Sequence, residues 1–321
     1  MNRRFHLRQW AALPVSLVLP WWAGCSQTAV LKVGIHPWVG YETLELAHEF
    51  KWLTAGVELV RTADLSASSQ ALQTGQLDAA CMTLDEVLRL RSEGVPVTVG
   101  LVFDVSAGAD ALLVRPGIGR LADLAGKRIG VESGPLGALM LEGVLGAAGL
   151  TASAIQVVDV PPERQLAAWQ RHEVDAMVCY EPTATLLQRE GARRLFDSRQ
   201  MPDTILDVLA VRTDRVSGRE ENLKALVSAH FRGLKHLQGN RQDAVYRMAQ
   251  RQGMTVQEVG QALAGVFFPT LEANRQYLAP AGRLTASASK VAALLARAGL
   301  HDKTDALDKL GDASWLPRDE N

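Results

Sequence analysis

An α/β fold of two facing lobes is predicted by a unit that occurs twice in the chain. Leu31-Lys32-Val33-Gly34-Ile35 leads through a glycine-containing loop into a helical stretch, and near the end of that copy stands Gly75-Gln76-Leu77-Asp78-Ala79-Ala80. Lys127-Arg128-Ile129-Gly130-Val131 begins the same course, which ends near His172-Glu173-Val174-Asp175-Ala176-Met177. Gly34 to Asp78 spans 44 positions and Gly130 to Asp175 spans 45, so both copies keep one internal spacing. Two similar lobes set face to face enclose a cleft, and a cleft between lobes is a place to hold a small molecule.

The first 24 residues read as a secretory signal peptide. Arg3, Arg4 and Arg8 make a basic start, and Trp10 to Trp22 is almost wholly apolar before Ala23-Gly24-Cys25. That run is shorter than the ~20 apolar residues that cross a bilayer as a helix, and Pro14 and Pro20 interrupt it. It therefore has the form of a cleaved leader. Without it the chain carries 31 basic and 35 acidic side chains, a net of −4, which gives no electrostatic footprint for nucleic acid. Nearly 300 residues remain, enough for two lobes with buried cores.

From Leu31 onward short β-branched runs alternate with amphipathic stretches, the pattern of parallel strands joined by crossover helices. The first copy offers strands at 57–60, 77–82, 97–103 and 112–114, with helices at 42–51, 67–74 and 84–92. The second offers strands at 129–131, 155–160 and 174–179, with helices at 136–148, 163–171 and 183–190. Residues 206–211 form a strand leading back. After Arg212 the texture changes: Leu223, Leu226, Val227, Phe231 and Leu234 recur at three- and four-residue steps, so 220–237 is a helix with one buried face. Further helices follow at 241–251, 256–266 and 285–298.

These elements divide the chain into a leader (1–24), a tether (25–30), a first part of lobe 1 (31–112), lobe 2 (113–211) and a mainly helical second part of lobe 1 (212–321). Two crossing segments make a two-strand hinge, because few backbone torsions must change for the lobes to close. Asp78 and Asp175 repeat with the fold, which predicts a shared architectural role such as bonding backbone where a strand enters. Cys81 and Cys179 end the two Asp-Ala strands and read as small buried hydrophobes, and no cysteine or histidine spacing argues for a metal.

Five landmarks in order carry a resemblance: Pro37-Trp38-Val39-Gly40-Tyr41-Glu42, Gly75-Gln76-Leu77-Asp78-Ala79, Asp104 to Asp110, Asp123-Leu124-Ala125-Gly126-Lys127, and Tyr180-Glu181-Pro182. Over about residues 31–300 the chain resembles the substrate-binding components of bacterial ABC uptake transporters, of the type 2 periplasmic binding protein fold. It is most similar to those for aliphatic sulfonates, taurine and nitrate, and to those for pyrimidine precursors of thiamine. The resemblance implies lobes that close on a small solute and then dock on a membrane permease with its ATPase; the protein is expected to act as a monomer, without a cofactor. Small residues before Cys25 resemble a lipoprotein cleavage site, which implies lipidation of Cys25 and a membrane anchor in the periplasm or at the cell exterior.

Ligands in such sheets sit beyond the carboxyl ends of the strands. That rule selects Trp38, Tyr41, Glu42, Thr83, Asp104 and Ser106 from lobe 1, and Ser133, Tyr180 and Glu181 from lobe 2, as ligand contacts. Three of the eight tryptophans and tyrosines beyond the leader, Trp38, Tyr41 and Tyr180, fall in these loops and can stack on a flat solute or enclose a cation. Ser133-Gly134 offers backbone amides to an anion, or is an ordinary helix cap. His36 is a further donor, and Asn274 reaches the cleft on the resemblance alone.

Acidic residues crowd the same loops: Glu42, Asp85, Asp104, Asp110, Glu132 and Glu181. A sulfonate beside them is repelled, so the expected solute carries an amine or is a polar heterocycle with donor groups, whereas the resemblance points to a sulfonate. Asp110 is expected to tie the crossover by local hydrogen bonds. An alternative function is a ligand-sensing lipoprotein that signals to a membrane kinase or cyclase. Catalysis is disfavoured, since the selected loops hold no serine-histidine-acid set and no cysteine beside a base.

Overall fold

The computed structural model describes residues 29–300 and 307–319. The leader and Cys25 lie outside the described residues. Among those described, no helix is long and apolar enough to cross a membrane.

Lobe 1 opens with β1 (Leu31–Ile35), α1 (Glu42–Glu49), β2 (Val57–Arg61), α2 (Leu65–Gln73), β3 (Ala79–Thr83), α3 (Leu84–Ser92) and β4 (Val97–Ser106). Lobe 2 follows with β5 (Ala111–Val114), β6 (Arg128–Val131), α4 (Pro135–Ala148), β7 (Gln156–Asp159), α5 (Pro162–Gln170), β8 (Ala176–Cys179), α6 (Thr183–Arg189) and β9 (Arg193–Asp197). The chain returns through β10 (Leu206–Arg212) and ends in α7 (Glu220–Gly239), α8 (Arg241–Gln252), α9 (Val256–Ala264), β11 (Val266–Phe267), α10 (Leu271–Leu278) and α11 (Arg283–Arg297).

The two sheets confirm the duplication. Their orders are β11-β4-β10-β3-β1-β2 and β7-β6-β8-β5-β9. In the first, β1 runs parallel to β2 and β3 and antiparallel β10 adds beside β3. In the second, β6 runs parallel to β7 and β8 and antiparallel β5 adds beside β8. The repeated glycine has a packing reason in each copy: a Cβ on Gly34 would stand 2.5 Å from Leu77 Cδ1, and one on Gly130 would stand 2.6 Å from Met177 Sδ. The repeated aspartate has one too. Asp78 Oδ2 accepts from the Lys32 amide at 2.9 Å and Asp175 Oδ2 from the Arg128 amide at 3.0 Å, so each carboxylate pins the start of its lobe's first parallel strand.

The lobe boundary differs from the expectation. Strand β10, assigned by sequence to the end of lobe 2, lies between β3 and β4 in the sheet of lobe 1, and β5, starting at Ala111, already belongs to lobe 2. The crossings are therefore the segments 107–110 and 198–205. Hydroxyls tie them: Ser106 Oγ and Ser198 Oγ are 2.7 Å apart, Ser198 Oγ accepts from the Gly108 amide at 2.7 Å, and Ser106 Oγ accepts from the Asp110 amide at 3.2 Å. Ser106 thus has its hydroxyl engaged at the hinge.

Two strands and a helix escape the sequence pattern. Strand β9 is masked by Arg193 and Arg194, β11 is two residues long, and α10 is preceded by Phe267-Phe268-Pro269. Asn274 on α10 is fully buried and does not reach the cleft. Its side chain accepts from the Val102 amide at 2.8 Å and donates to the Val102 carbonyl at 3.1 Å, at the irregularity where β4 skips a residue against β10. Helix α11 buries Leu284, Ala288, Val291 and Leu295 against α3 and α4, and so spans both lobes. Cys81 and Cys179 are buried free thiols in different sheets.

Candidate ligand site between the lobes

The loop after β1 builds the lobe 1 wall of an inner pocket. Trp38 is extended, 7% exposed, and meets Tyr180 of lobe 2 edge to face, with ring centres 5.9 Å apart. Its indole N–H donates to Asp104 Oδ2 at 3.2 Å. Gly40 makes that contact possible, since a Cβ there would lie 1.8 Å from the same oxygen. A short 3-10 turn over Val39–Tyr41 then carries the chain into α1.

Asp104 and Asp207 are opposed residues of antiparallel β4 and β10, and Asp207 also opposes Thr83 on β3. Both are buried, and burial raises both carboxyls, Asp207 further because the charge of Asp104 is beside it. The pair therefore retains a proton near neutrality. Thr83 donates to Asp85 Oδ2 at 3.0 Å, and burial followed by the charge of Glu86 lifts Asp85 to about 8. Asp85 Oδ1 and Asp104 Oδ1 are buried without a hydrogen-bond partner. Asp110 is pushed to about 6 by burial, against the opposing pull of Ser106 and Arg194.

The inner pocket joins His36, Trp38, Thr83, Asp110, Tyr180 and Asp207, with Leu65, Leu136 and Ile205 as its apolar walls. With the lobes as they stand it has a volume of 20 Å³, about the room of one water. Among the described residues no lysine or arginine lines it, and burial lowers His36 to about 4, so its imidazole is neutral. A wider outer cleft adjoins it.

Trp38, Thr83 and Tyr180 are thus brought together as the sequence placed them, and Asp104 stands directly behind Trp38. Others are not. Tyr41 is fully buried beneath the pocket, where its hydroxyl donates to Asp207. Glu42 turns toward α8, accepting from Arg251 at 2.5 Å and Gln252 at 2.8 Å. Glu181 accepts from the Thr185 amide at 3.0 Å and from Arg194 at 3.2 Å, which commits it to the first turn of α6 and to β9. Ser133 lines the outer cleft, but its amide already donates to Asp159 at 3.1 Å, so it is not a vacant anion receptor. Asp110 both ties the hinge through its amide and lines the pocket through its side chain. Sequence reasoning missed Asp207; the one signal was a single acid in the otherwise apolar run Leu206 to Val211.

Residues 55–244, more than half of the chain, match the family described as NMT1/THI5 like. The chain belongs to that family. An NMT1/THI5-like architecture of two α/β lobes agrees with solved structures: the periplasmic aliphatic sulphonate binding protein SsuA of Escherichia coli superposes with a TM-score of 0.74 at 17% identity, covering 88% of this chain and 92% of that one. The desulfurization enzyme DSZB superposes at 0.65 with 19% identity over 90% of this chain and 97% of its own, so the fold alone does not separate binding from catalysis. By sequence, the taurine-binding periplasmic protein of Escherichia coli K12 is 28% identical over 163 residues, 50% of this chain and 51% of that protein. This NMT1/THI5-like chain therefore spans about half the length of the curated relative it matches.

Proposed function

We propose that this protein is the solute-binding component of an ABC uptake transporter, and that it captures a small solute with a cationic or donor-rich head by closing two lobes on it. The observation that carries the reading is the inner pocket: Asp110 and Asp207 line it, Asp104 and Asp85 back it, aromatic rings enter from opposite lobes, and among the described residues no lysine or arginine lines it. An ammonium or heterocyclic N–H there donates charge-assisted hydrogen bonds to the acids while Trp38 and Tyr180 offer ring faces. A sulfonate has no donor to offer the acids and meets them as a like charge. Among relatives, the taurine-binding periplasmic protein supports a solute-binding role, and taurine itself carries an amine that suits the acids.

The chain is exported by residues 1–24 and tethered through lipidated Cys25, with a permease and its ATPase as partners. Incorporation of radiolabelled palmitate that is lost in Cys25→Ala tests the tether. Isothermal titration of the domain from residue 29 with butylamine, an aminopyrimidine, taurine and an alkanesulfonate tests the site. Binding of the amine or aminopyrimidine is expected; tight binding of the alkanesulfonate, with no heat from either nitrogen compound, sinks the reading.

A further inference from the structure

Away from the cleft, lobe 1 carries a groove of about 700 Å³ between the turn that ends α1 and the helix α7. Trp52, Ser228, Arg232, Lys235, His236 and Asn240 line it. The chain enters it through a left-handed turn: Lys51 takes φ +58°, a place usually given to glycine, while the amides of Lys51 and Trp52 donate back to the carbonyls of His48 at 3.0 Å and Ala47 at 2.8 Å. Trp52 stacks on Phe50 with ring centres 4.7 Å apart, and the Arg232 guanidinium lies over the Trp52 ring, 4.2 Å from its centre.

Charge sets this groove apart. Arg61, Arg89, Arg212, Arg247 and Arg251 of the same lobe are each held by an acid. Arg232 and Lys235 are exposed and have no hydrogen bond or ion pair among the described residues. The nearby acids are already taken: Glu49 by Arg247 and Arg251, Asp243 by Arg247 and His236, Glu221 by Lys224. Unpaired cations beside a half-buried indole suit an anionic lipid surface, since tryptophan and basic side chains both favour the headgroup zone between water and hydrocarbon.

The tether arrives on the same side of α7. Asn222 Nδ2 donates to the Ala29 carbonyl at 3.1 Å and Arg219 Nε to the Val30 carbonyl at 3.0 Å. Asn222, Ala225, Ala229, Arg232 and His236 follow at three- and four-residue steps, one stripe of the helix. Four positions separate Cys25 from Ala29, a reach of at most ~14 Å. Arg232 lies ten residues beyond Asn222, ~15 Å along the axis.

We propose that this groove is a docking surface for the anionic headgroups of a phospholipid membrane, so that lobe 1 rests on the membrane with α7 along it. This builds on the lipid anchor at Cys25: the anchor sets the distance and the groove sets the orientation. A short tether holds the groove at high effective concentration, so a weak contact is enough.

Vesicle sedimentation tests it on the exported chain carrying Cys25→Ser, which can bear no acyl chain there. Phosphatidylglycerol vesicles at low salt are expected to retain the protein at least ~10-fold better than phosphatidylcholine vesicles. Arg232→Gln and Lys235→Gln are each expected to lower that partitioning about fivefold, the worth of one basic side chain at an anionic surface. Arg232→Lys should keep most of it, and Arg120→Gln, which removes an exposed cation from lobe 2, should leave it unchanged. Unaltered melting temperatures establish that the variants are folded. A nitroxide on the lipid headgroup should quench tryptophan fluorescence in the wild type and much less in Trp52→Phe. Equal retention by the two lipids, or an equal fall in Arg120→Gln, overturns the inference and leaves the palmitate test of the anchor standing. Calorimetric binding of inorganic phosphate that needs Arg232, without vesicle retention, assigns the groove to a soluble anion and also overturns it. Absence of palmitate from the wild type with vesicle retention intact removes the anchor and leaves the surface standing.

Discussion

Asp104 and Asp207 oppose each other across β4 and β10, one receiving the indole N–H of Trp38 and the other the phenol of Tyr41. Two buried carboxyls in contact cannot both ionise cheaply, and Asp85 and Glu132, each held near 8, extend the same strain across the cleft. A carboxyl raised in the folded state binds protons more tightly there than in the unfolded chain. Its stabilising effect is complete below the unfolded value of 3.8 for aspartate and is lost as pH rises through the folded value. The ligand-free melting temperature is therefore expected to be highest in mild acid and to fall as pH rises to about 8, the share of Asp110 being lost already by about pH 6. Calorimetric scans across that range check it, and Asp207→Asn should flatten the alkaline fall. A melting temperature that climbs steadily to pH 8 contradicts it.

The same linkage gives amine affinity the opposite slope. An ammonium prefers the ionised acids, so its association constant is expected to increase from pH 6 to pH 8 while the solute stays protonated. Titrations in matched buffers measure this directly, and a pH-independent constant counts against the carboxyls as its partners.

Gly40→Ala puts a methyl 1.8 Å from Asp104 Oδ2 and 2.5 Å from the Trp38 indole nitrogen. The loop must shift, at a cost of roughly 1–3 kcal/mol typical of overpacking, and the Trp38 wall of the pocket moves with it. Loss of solute binding with a lowered urea midpoint is the expected result. Retention of full affinity shows that Trp38 does not form that wall.

Ser198→Ala removes the acceptor for the Gly108 amide and the partner of the Ser106 hydroxyl at the hinge. Leaving buried polar groups unpaired costs about 1–3 kcal/mol. Urea unfolding should report that loss, and Ser198→Thr, which keeps the hydroxyl, should recover most of it.

The duplicated aspartates should differ in weight. Asp78 is 3% exposed and also faces Arg215 at 3.1 Å and Arg219 at 3.5 Å, whereas the Asp175 side chain is 27% exposed and, among the described residues, pairs with Arg128 alone. Asp78→Asn is expected to cost ~1–3 kcal/mol, as a buried charged hydrogen bond does. Asp175→Asn is expected to cost ~1 kcal/mol or less, as exposed ion pairs do. Equal costs in parallel denaturant titrations refute the ranking.

The duplication was legible because its spacing is set by packing: Gly34 and Gly130 mark where a neighbouring side chain crosses a strand, and Asp78 and Asp175 mark where a strand is pinned. The site was legible in part. Looking beyond the carboxyl ends of parallel strands finds Trp38, Thr83 and Tyr180, which line the pocket. Asp207 escapes that rule because β10 runs antiparallel to β3, so its amino end meets the cleft. Tyr41 and Glu42 satisfy the rule and yet leave the pocket, because the 3-10 turn after Trp38 points one residue under the sheet and the next toward α8. Nothing in an apolar strand such as β10 states which sheet it joins, so the boundary at residue 211 was misplaced.

That strand also fixes the order in which the molecule can be assembled. Residues 111–197 contain every strand of the second sheet in one continuous stretch, so that lobe can form from its own contacts. The other lobe cannot: the place between β3 and β4 is filled only when Leu206–Arg212 arrives, more than a hundred residues later. A chain emerging amino end first therefore keeps the edges of β3 and β4 unpaired until its middle has been made. The half of the cleft that carries Trp38 is the last to be completed.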